Sequence, residues 1–129
     1  MAAIKGRNTS PEIAVRRFFS SLGYKFKLHE KKLPGRPDIF LKKLHTVIFI
    51  HGCFWHRHKN CKYSTMPKSN RSFWHAKLVG NAKRDEIHKR KLKKQGLRVF
   101  TIWECQIRDK NTGAIKTNFV SKIVQRLEK

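Results

Sequence analysis

The chain has 129 residues, which is within the usual size of one domain and too short for two lobes with separate cores, so we expect residues 1–129 to form a single domain. Hydrophobic residues make up 39% of the sequence, with nine Phe and three Trp, and this composition excludes a disordered chain. The 31 Lys and Arg outnumber the 8 Asp and Glu and give a net charge of +23, which favours a polyanionic partner.

The basic charge leaves nucleic acid and an acidic membrane as candidate partners. The sequence has no run of roughly 20 apolar residues that would span a bilayer, and no strongly amphipathic basic helix with an aromatic face. Nucleic acid is therefore the favoured partner. Residues 1–12 lack the apolar segment of a secretion signal, so we expect a reducing cytoplasm, in which the three cysteines favour metal ligation over disulfides.

The first half of the chain predicts a helix and three short strands. The segment 9–12 supplies capping hydroxyls and an early Pro, so a helix is predicted from there to Gly23. Residues 24–28 alternate apolar and basic side chains, as a half-buried strand does. The apolar runs 38–41 and 46–50 predict an antiparallel hairpin.

The hairpin has a consequence for chemistry. In an antiparallel pair the beginning of the first strand lies beside the end of the second. Asp38 is therefore expected near Ile50 and His51, although at least twelve residues separate them.

A long helix, a strand and a last helix are predicted after residue 70. Residues 71–95 contain no Pro and carry apolar side chains at helical spacing, so they predict one helix, or two that break at Gly80. Gly96 ends this helix, and residues 97–103 predict a strand. A C-terminal helix is indicated by apolar residues at i, i+3, i+4 and i+7, namely Val120, Ile123, Val124 and Leu127.

The order strand, helix, strand predicts a parallel pair. Such units join neighbouring parallel strands by a right-handed crossover, and parallel neighbours finish at the same sheet edge. Glu104 and Cys105, which follow the second strand, are therefore expected beside His51 and Cys53.

The cysteines and a histidine fit a structural zinc site. Cys53, His58 and Cys61 have the spacing of a loop around a tetrahedral ion, and Cys105 would arrive from the second strand end as the fourth ligand. A Cys3His site is closed, so this zinc would stabilise the loop without performing chemistry. Two alternatives stay open, namely three unrelated buried thiols and His56 in place of His58.

Five short motifs stand out along the chain. They are NTSPE at 8–12, LPGRPD at 33–38, FIHGCFWH at 49–56, GNAKRD at 80–85 and WEC at 103–105. Together they resemble the very-short-patch-repair (Vsr) DNA mismatch endonuclease family over nearly the whole chain. Motifs of this length are far more specific than the spacing of a lone metal site.

The resemblance implies a fold and an activity. The family has a restriction-endonuclease-like core, so we expect an α/β fold with a mixed β-sheet flanked by helices. The resemblance also implies the family's activity, which is Mg²⁺-dependent hydrolysis of a phosphodiester bond. This reaction nicks one strand of duplex DNA next to a T:G mismatch, which arises from deamination of 5-methylcytosine. We expect a monomer in the bacterial or archaeal cytoplasm that initiates very-short-patch repair, with mismatch-repair proteins as further candidate partners.

The resemblance also assigns site residues. Asp38 and the backbone carbonyl of Ile50 match the family's magnesium ligands, and magnesium prefers oxygen. His56 matches the general base, and Asp85 the carboxylate that orients its other ring nitrogen. His51 would contact the phosphate or a metal-bound water.

Glu12 would support this site from the first helix. Without the motifs, Asp38 also fits a solvated strand end, His51 a strand-edge residue and Glu12 a helix-cap acid. The chain departs from the wider nuclease superfamily, because no acid-x-lysine pair follows Asp38 and the segment 50–52, Ile-His-Gly, takes that place.

Aromatic residues are predicted to reach DNA. The resemblance implies that Phe54, Trp55 and Trp74 wedge between base pairs beside the mismatch, where a weakened step lowers the cost of insertion. Phe54 and Trp55 also fit a core role, and Trp103 is expected in the core.

Basic residues are predicted to contact phosphates, while the run 89–94 is expected to form a solvated helix face. The expected contacts come from Lys62, Lys68, Arg71 and Lys77. Relatives carry an N-terminal arm that reaches the other groove, and this chain begins late in that arm, so such contacts are expected to be curtailed.

Two alternative functions remain. One is a nuclease of the same fold that nicks DNA regardless of a mismatch. The other is a zinc-stabilised DNA-binding module without catalysis, which would leave Asp38 and the two histidines around Gly52 without a purpose.

Overall fold

The computed structural model describes residues 10–53, 55–58, 61, 67–108 and 118–127. Its regular elements are helices and short strands. They are α1 (Ser10–Ser21), β1 (Lys27–Leu28), β2 (Ile39–Leu41), a 3-10 turn (Lys42–Leu44), β3 (Thr46–His51), α2 (Arg71–Lys94), β4 (Arg98–Trp103), α3 (Glu104–Ile107) and α4 (Asn118–Leu127).

The four strands form one mixed sheet in the order β1-β2-β3-β4. The pairs β1–β2 and β2–β3 are antiparallel, as the hairpin prediction requires. The pair β3–β4 is parallel, with His51 opposite Trp103, and α2 makes the crossover between them. The predicted mixed α/β architecture is therefore confirmed.

The sheet lies between two layers of helices, and the alternation of side chains along its strands explains why. One face packs against α1, α3 and α4, and the other face packs against α2. The buried residues of the first face are Val15, Phe19, Ile39, Leu41, Ile48, Ile102, Ile107, Val120, Ile123, Val124 and Leu127. Those of the second are Val47, Phe49 and Leu92.

Two elements differ from the prediction. The strand predicted at 24–28 is reduced to Lys27 and Leu28, because its partner β2 ends at Leu41, where the chain enters the 3-10 turn. Helix α3 was not predicted, since four residues are too few for an apolar period. Cys105 therefore lies in a helical turn after β4.

Helix α2 runs without interruption through Gly80, so the prediction of one long helix is confirmed. Only Leu78 and Leu92 are buried among its described residues, and the hydrophobic residues Phe73 and Ile87 are exposed. Among the helices that the structure describes, none has the length and apolar character required to span a bilayer.

Candidate active site

A cleft opens where β3 extends beyond its neighbour β2. The antiparallel pairing of β2 and β3 ends at Ile39 and Ile48. The next β3 amide on the side of β2 is that of Ile50, and it has no strand partner in β2. The Asp38 carboxylate takes that place, since its Oδ2 accepts a hydrogen bond from the Ile50 amide at 2.7 Å. The predicted proximity of Asp38 and Ile50 is confirmed.

We call this opening the β3 cleft. It has a volume of about 650 Å³. The described residues that line it are His29, Lys31, Gly35, Arg36, Asp38, Phe49, Ile50, His51, His56 and Asp85.

A second carboxylate approaches Asp38 from helix α1. Glu12 is 2% exposed and forms an ion pair with Arg16, one turn further along the helix, and its Oε2 lies 3.0 Å from His29 Nε2. Burial and, to a smaller extent, the neighbouring Glu12 raise the pKa of Asp38 to about 7, although the hydrogen bond from the Ile50 amide opposes this rise. The pair of acids therefore favours a bound cation, which would stabilise both carboxylates in the charged form.

Two histidines form the opposite wall of the cleft. The rings of His51 and His56 are stacked, with centroids 3.8 Å apart and planes 6° from parallel. Asp85 of α2 accepts a hydrogen bond from His56 Nδ1 at 2.7 Å. This is the contact that the predicted roles of these two residues require, and it leaves Nε2 of His56 as the proton-accepting nitrogen.

The environment fixes the charge of this wall. Burial, together with a smaller effect of the neighbouring His56, lowers the pKa of His51 to about 3, so His51 is neutral at physiological pH. Burial acts to raise the pKa of Asp85, but the hydrogen bond from His56 and the electrostatic interactions with His51, His56 and Lys89 together outweigh it, so the net shift is downward. An ionised Asp85 therefore faces the His56 ring.

The three cysteines gather with His58 on the far side of this wall. The ligand atoms of Cys53, His58, Cys61 and Cys105 all lie within 4.8 Å of one another, and Cys105 Sγ is 3.4 Å from His58 Nδ1. In a tetrahedral zinc site such atoms are roughly 3.6–3.8 Å apart, so the donor set fits that ion. His56 belongs to the other cluster, which favours His58 as the histidine ligand.

Without an ion, the surroundings of the cysteine cluster disfavour the charged thiolates. Burial raises the pKa of the Cys53 and Cys105 thiols, and burial lowers the pKa of His58. A bound divalent ion would stabilise the thiolates.

Trp103 lies between the two clusters, which corrects its predicted place in the core. Its ring stacks on His58 at 4.1 Å and meets His51 edge to face at 5.2 Å. The parallel register explains this, because Trp103 is paired with His51 at the ends of β3 and β4. The ring therefore connects the cysteine cluster to the cleft.

An aromatic and basic surface extends from the cleft along the start of α2. Trp55 and Trp74 meet edge to face at 5.8 Å, and Lys77 lies 5.7 Å above the Trp55 ring. Lys68, just before α2, and Arg71, its first residue, are also exposed, but neither lines the β3 cleft. The predicted contacts of Phe54, Lys62 and the N-terminal arm lie outside the described residues, which begin at Ser10.

Three residues of the cleft and of the aromatic surface were not predicted from the sequence. His29 meets both acids, Asn81 donates a hydrogen bond to the Trp55 carbonyl at 3.0 Å, and Phe73 is 59% exposed beside Trp74. Asn81 is part of the GNAKRD motif, so the sequence contained a signal by which it could have been found. His29 follows Leu28, whose pairing with Ile39 sets it opposite Asp38, but a strand of two residues gives no sequence signal for that register.

Comparison with known proteins gives consistent matches. A sequence model of the family described as "DNA mismatch endonuclease Vsr" matches residues 1–63. The "Type II nicking enzyme V.XorIIP" of Xanthomonas oryzae pv. oryzae is 42% identical over 109 residues, which cover 84% of this chain and 79% of that protein. The "Type II nicking enzyme V.NmeAIP" of Neisseria meningitidis is 41% identical, with 85% and 78% covered.

A relative from Escherichia coli carries the family's own description. "DNA mismatch endonuclease Vsr" is 37% identical over 108 residues, which cover 84% of this chain and 69% of that protein. These matches define the class of protein as a DNA endonuclease. More narrowly, the chain belongs to the Vsr family.

Proposed function

We propose that this endonuclease nicks one strand of duplex DNA next to a T:G mismatch by Mg²⁺-dependent hydrolysis, and so initiates very-short-patch repair. The observation that carries the proposal is the β3 cleft, in which the hydrogen bond between Ile50 and Asp38 faces the pair of His56 and Asp85. Membership of the Vsr family and the charge of +23 support DNA as the substrate.

Magnesium would be held by the Asp38 carboxylate and the Ile50 carbonyl. The amide and carbonyl of one residue in an extended strand point to the same side, so the Ile50 carbonyl is directed toward Asp38 as its amide is. Both are hard oxygen donors, and a bound magnesium supplies positive charge at the scissile phosphate.

The protein's own groups would move the proton. His56, held by Asp85 through Nδ1, presents Nε2 as the general base toward the attacking water. His51 is neutral and stacked on His56, so it contacts the phosphate as a hydrogen-bond donor without adding a competing base. Glu12, on α1, supports the part of the site that contains Asp38 and His29.

Mismatch selection would rest on the aromatic surface. Trp55 and Trp74 form an edge-to-face pair next to the cleft, and Phe54 precedes Trp55 in the sequence. Inserting rings between base pairs costs a few kcal/mol per step, and a mismatched step costs less to open, so insertion favours T:G over a paired duplex. Lys62, Lys68, Arg71 and Lys77 would contact phosphates around it.

We further propose that the mixed sheet is a restriction-endonuclease-like core, that residues 1–129 are one domain and that the cysteine cluster holds a structural Zn²⁺. The four donors lie within 4.8 Å of one another, which supports the zinc assignment.

The test compares matched and T:G-containing duplexes in magnesium. Wild-type protein is expected to nick the mismatch selectively, while Asp38→Ala and His56→Ala retain binding but lose nicking by about 10²-fold or more. His45→Ala, at an exposed position away from the cleft, is the matched control and should nick as wild type does.

Equal nicking of both duplexes would instead favour a mismatch-independent nickase. The names of the relatives from Xanthomonas oryzae and Neisseria meningitidis, both called nicking enzymes, give that alternative its support. Full nicking by Asp38→Ala would overturn the proposed site.

A further inference from the structure

His29 occupies a position beside the acids that no sequence motif indicated. It follows β1, and its amide donates a hydrogen bond to the Asp38 carbonyl at 3.2 Å, so its backbone is tied directly to the residue proposed to bind magnesium. Its ring lines the β3 cleft. Nε2 lies 3.0 Å from Glu12 Oε2 and 3.9 Å from Asp38 Oδ1.

The backbone of His29 is in an uncommon conformation. Its φ is 47°, in the left-handed region that non-glycine residues rarely adopt. Surrounding contacts must hold such a residue, and such conformations cluster at functional sites. Here the held conformation keeps the imidazole between the two carboxylates.

The two acids need this arrangement because they lie close together in a buried place. Oxygens of Glu12 and Asp38 and the His29 nitrogen all lie within 4.8 Å of one another. Arg16 pairs with Glu12 from the helix side, and His29 meets Glu12 from the cleft side. A carboxylate held by donors on two sides has one orientation, and a metal site depends on such support for its affinity.

We propose that His29 is a positioning residue, which donates Nε2–H to Glu12 and thereby holds Glu12 and Asp38 in the arrangement that binds the divalent ion. The inference rests on the proposed function, since it concerns the same ion. It adds a residue outside the set that the family resemblance assigns. Without this donor, Glu12 keeps its ion pair with Arg16 but loses the contact on its cleft side, so its carboxylate is held less firmly beside Asp38 and the affinity for the ion falls.

The test substitutes His29 with and without a donor. His29→Phe and His29→Leu remove the hydrogen bond, whereas His29→Gln keeps an N–H donor of similar reach. His45→Phe is the matched control, because His45 also has a left-handed backbone, with φ 49°, but is exposed and lies outside the cleft. It reproduces the change at a strained position without touching the acids.

The first readout is Mn²⁺ binding, followed by the paramagnetic resonance signal of the free ion on the protein as purified. His29→Phe and His29→Leu are expected to raise the dissociation constant about tenfold, while His29→Gln and His45→Phe stay within about threefold of wild type. The second readout is the magnesium concentration that gives half-maximal nicking, which should rise in the same two variants.

The outcomes distinguish the role of His29 from the proposed function. Wild-type Mn²⁺ affinity in folded His29→Phe or His29→Leu would overturn the role of His29 and leave the proposed function standing. A loss of thermal stability with unchanged Mn²⁺ affinity would also overturn it, because it would show a purely structural role. Failure of wild-type protein to bind Mn²⁺ at all would overturn the proposed magnesium site itself.

Discussion

At the scale of single residues, the Asp38 carboxylate is stabilised by one contact and destabilised by its surroundings. The Ile50 amide donates to it at 2.7 Å, but burial and the neighbouring Glu12 raise its pKa to about 7. The charged form that magnesium requires is therefore disfavoured in the ion-free protein. A bound cation removes this conflict, so the metal and the acid stabilise each other.

This conflict predicts how stability depends on pH. The pKa of Asp38 is raised above the value of 3.8 for an isolated side chain, so its contribution to stability is present below pH 4 and is lost as the pH rises toward 7. In magnesium-free buffer, denaturant unfolding should show wild type losing up to about 4 kcal/mol relative to Asp38→Asn between pH 4 and 8. A difference that does not change with pH would contradict the assignment.

A second residue-scale prediction concerns the cysteine cluster. If the cluster holds zinc as proposed, His58→Ala and Cys105→Ala should lose the metal and more than about 2 kcal/mol of unfolding free energy, because each removes one of the four proposed ligands. His56→Ala is the control and should keep the metal. Metal analysis of the purified variants decides between the two histidines, and zinc loss in His56→Ala alone would reverse the assignment.

At the scale of elements, the cleft is assembled from parts that are distant in sequence. The strand end of β3 supplies Ile50 and His51, the loop before β2 supplies Asp38, and helix α2 supplies Asp85. The loop and the helix touch at Gly35, whose missing side chain allows His88 of α2 to come close. The width of the cleft therefore depends on a glycine that takes no part in the chemistry.

A substitution at this contact tests that dependence. A Cβ at Gly35 would lie 3.0 Å from His88 Cβ and Cγ, and φ is 77°, so Gly35→Ala should lose about 1–2 kcal/mol of stability and at least tenfold in nicking rate. Gly23→Ala has the same backbone strain, with φ 84°, but meets no atom within 4 Å, so it should nick normally. Adding His88→Ala should partly restore Gly35→Ala. Equal nicking defects in the two glycine variants would refute the contact.

The elements also differ in how far the sequence could predict them. The hairpin and the crossover each follow from local patterns, so the meeting of Asp38 with Ile50 and the approach of Cys105 to Cys53 were predictable. His29 was not, because its position depends on the register between a two-residue strand and β2. The place of Trp103 was predicted wrongly, since hydrophobicity alone does not distinguish a core ring from one stacked on histidines.

At the scale of the whole molecule, the net charge of +23 sets the conditions for DNA binding. The described face of α2 near the cleft carries Lys77 above the Trp55 ring, whereas Lys93 is exposed near the other end of the helix. Only cations that meet phosphates release counterions on binding. The two lysines therefore differ in their expected effect on salt dependence.

Lys77→Gln should reduce the slope of log K against log salt concentration by about 0.9, which corresponds to one phosphate contact. Lys93→Gln removes the same charge from the same helix and should change the slope by much less. Binding to a T:G duplex, measured over a range of salt concentrations, gives both slopes. Equal slopes for the two variants would show that Lys77 acts only through the overall charge.

The central claim is that the divalent ion of the reaction binds between Asp38 and Ile50. It is tested most directly by replacing magnesium with Fe²⁺ and generating radicals there with ascorbate and peroxide, which cut the protein backbone next to the ion. We expect cuts near residues 38 and 50 that excess Mg²⁺ suppresses and that Asp38→Asn abolishes. Cuts confined to the neighbourhood of Cys53, Cys61 and Cys105, or insensitive to magnesium, would contradict the claim.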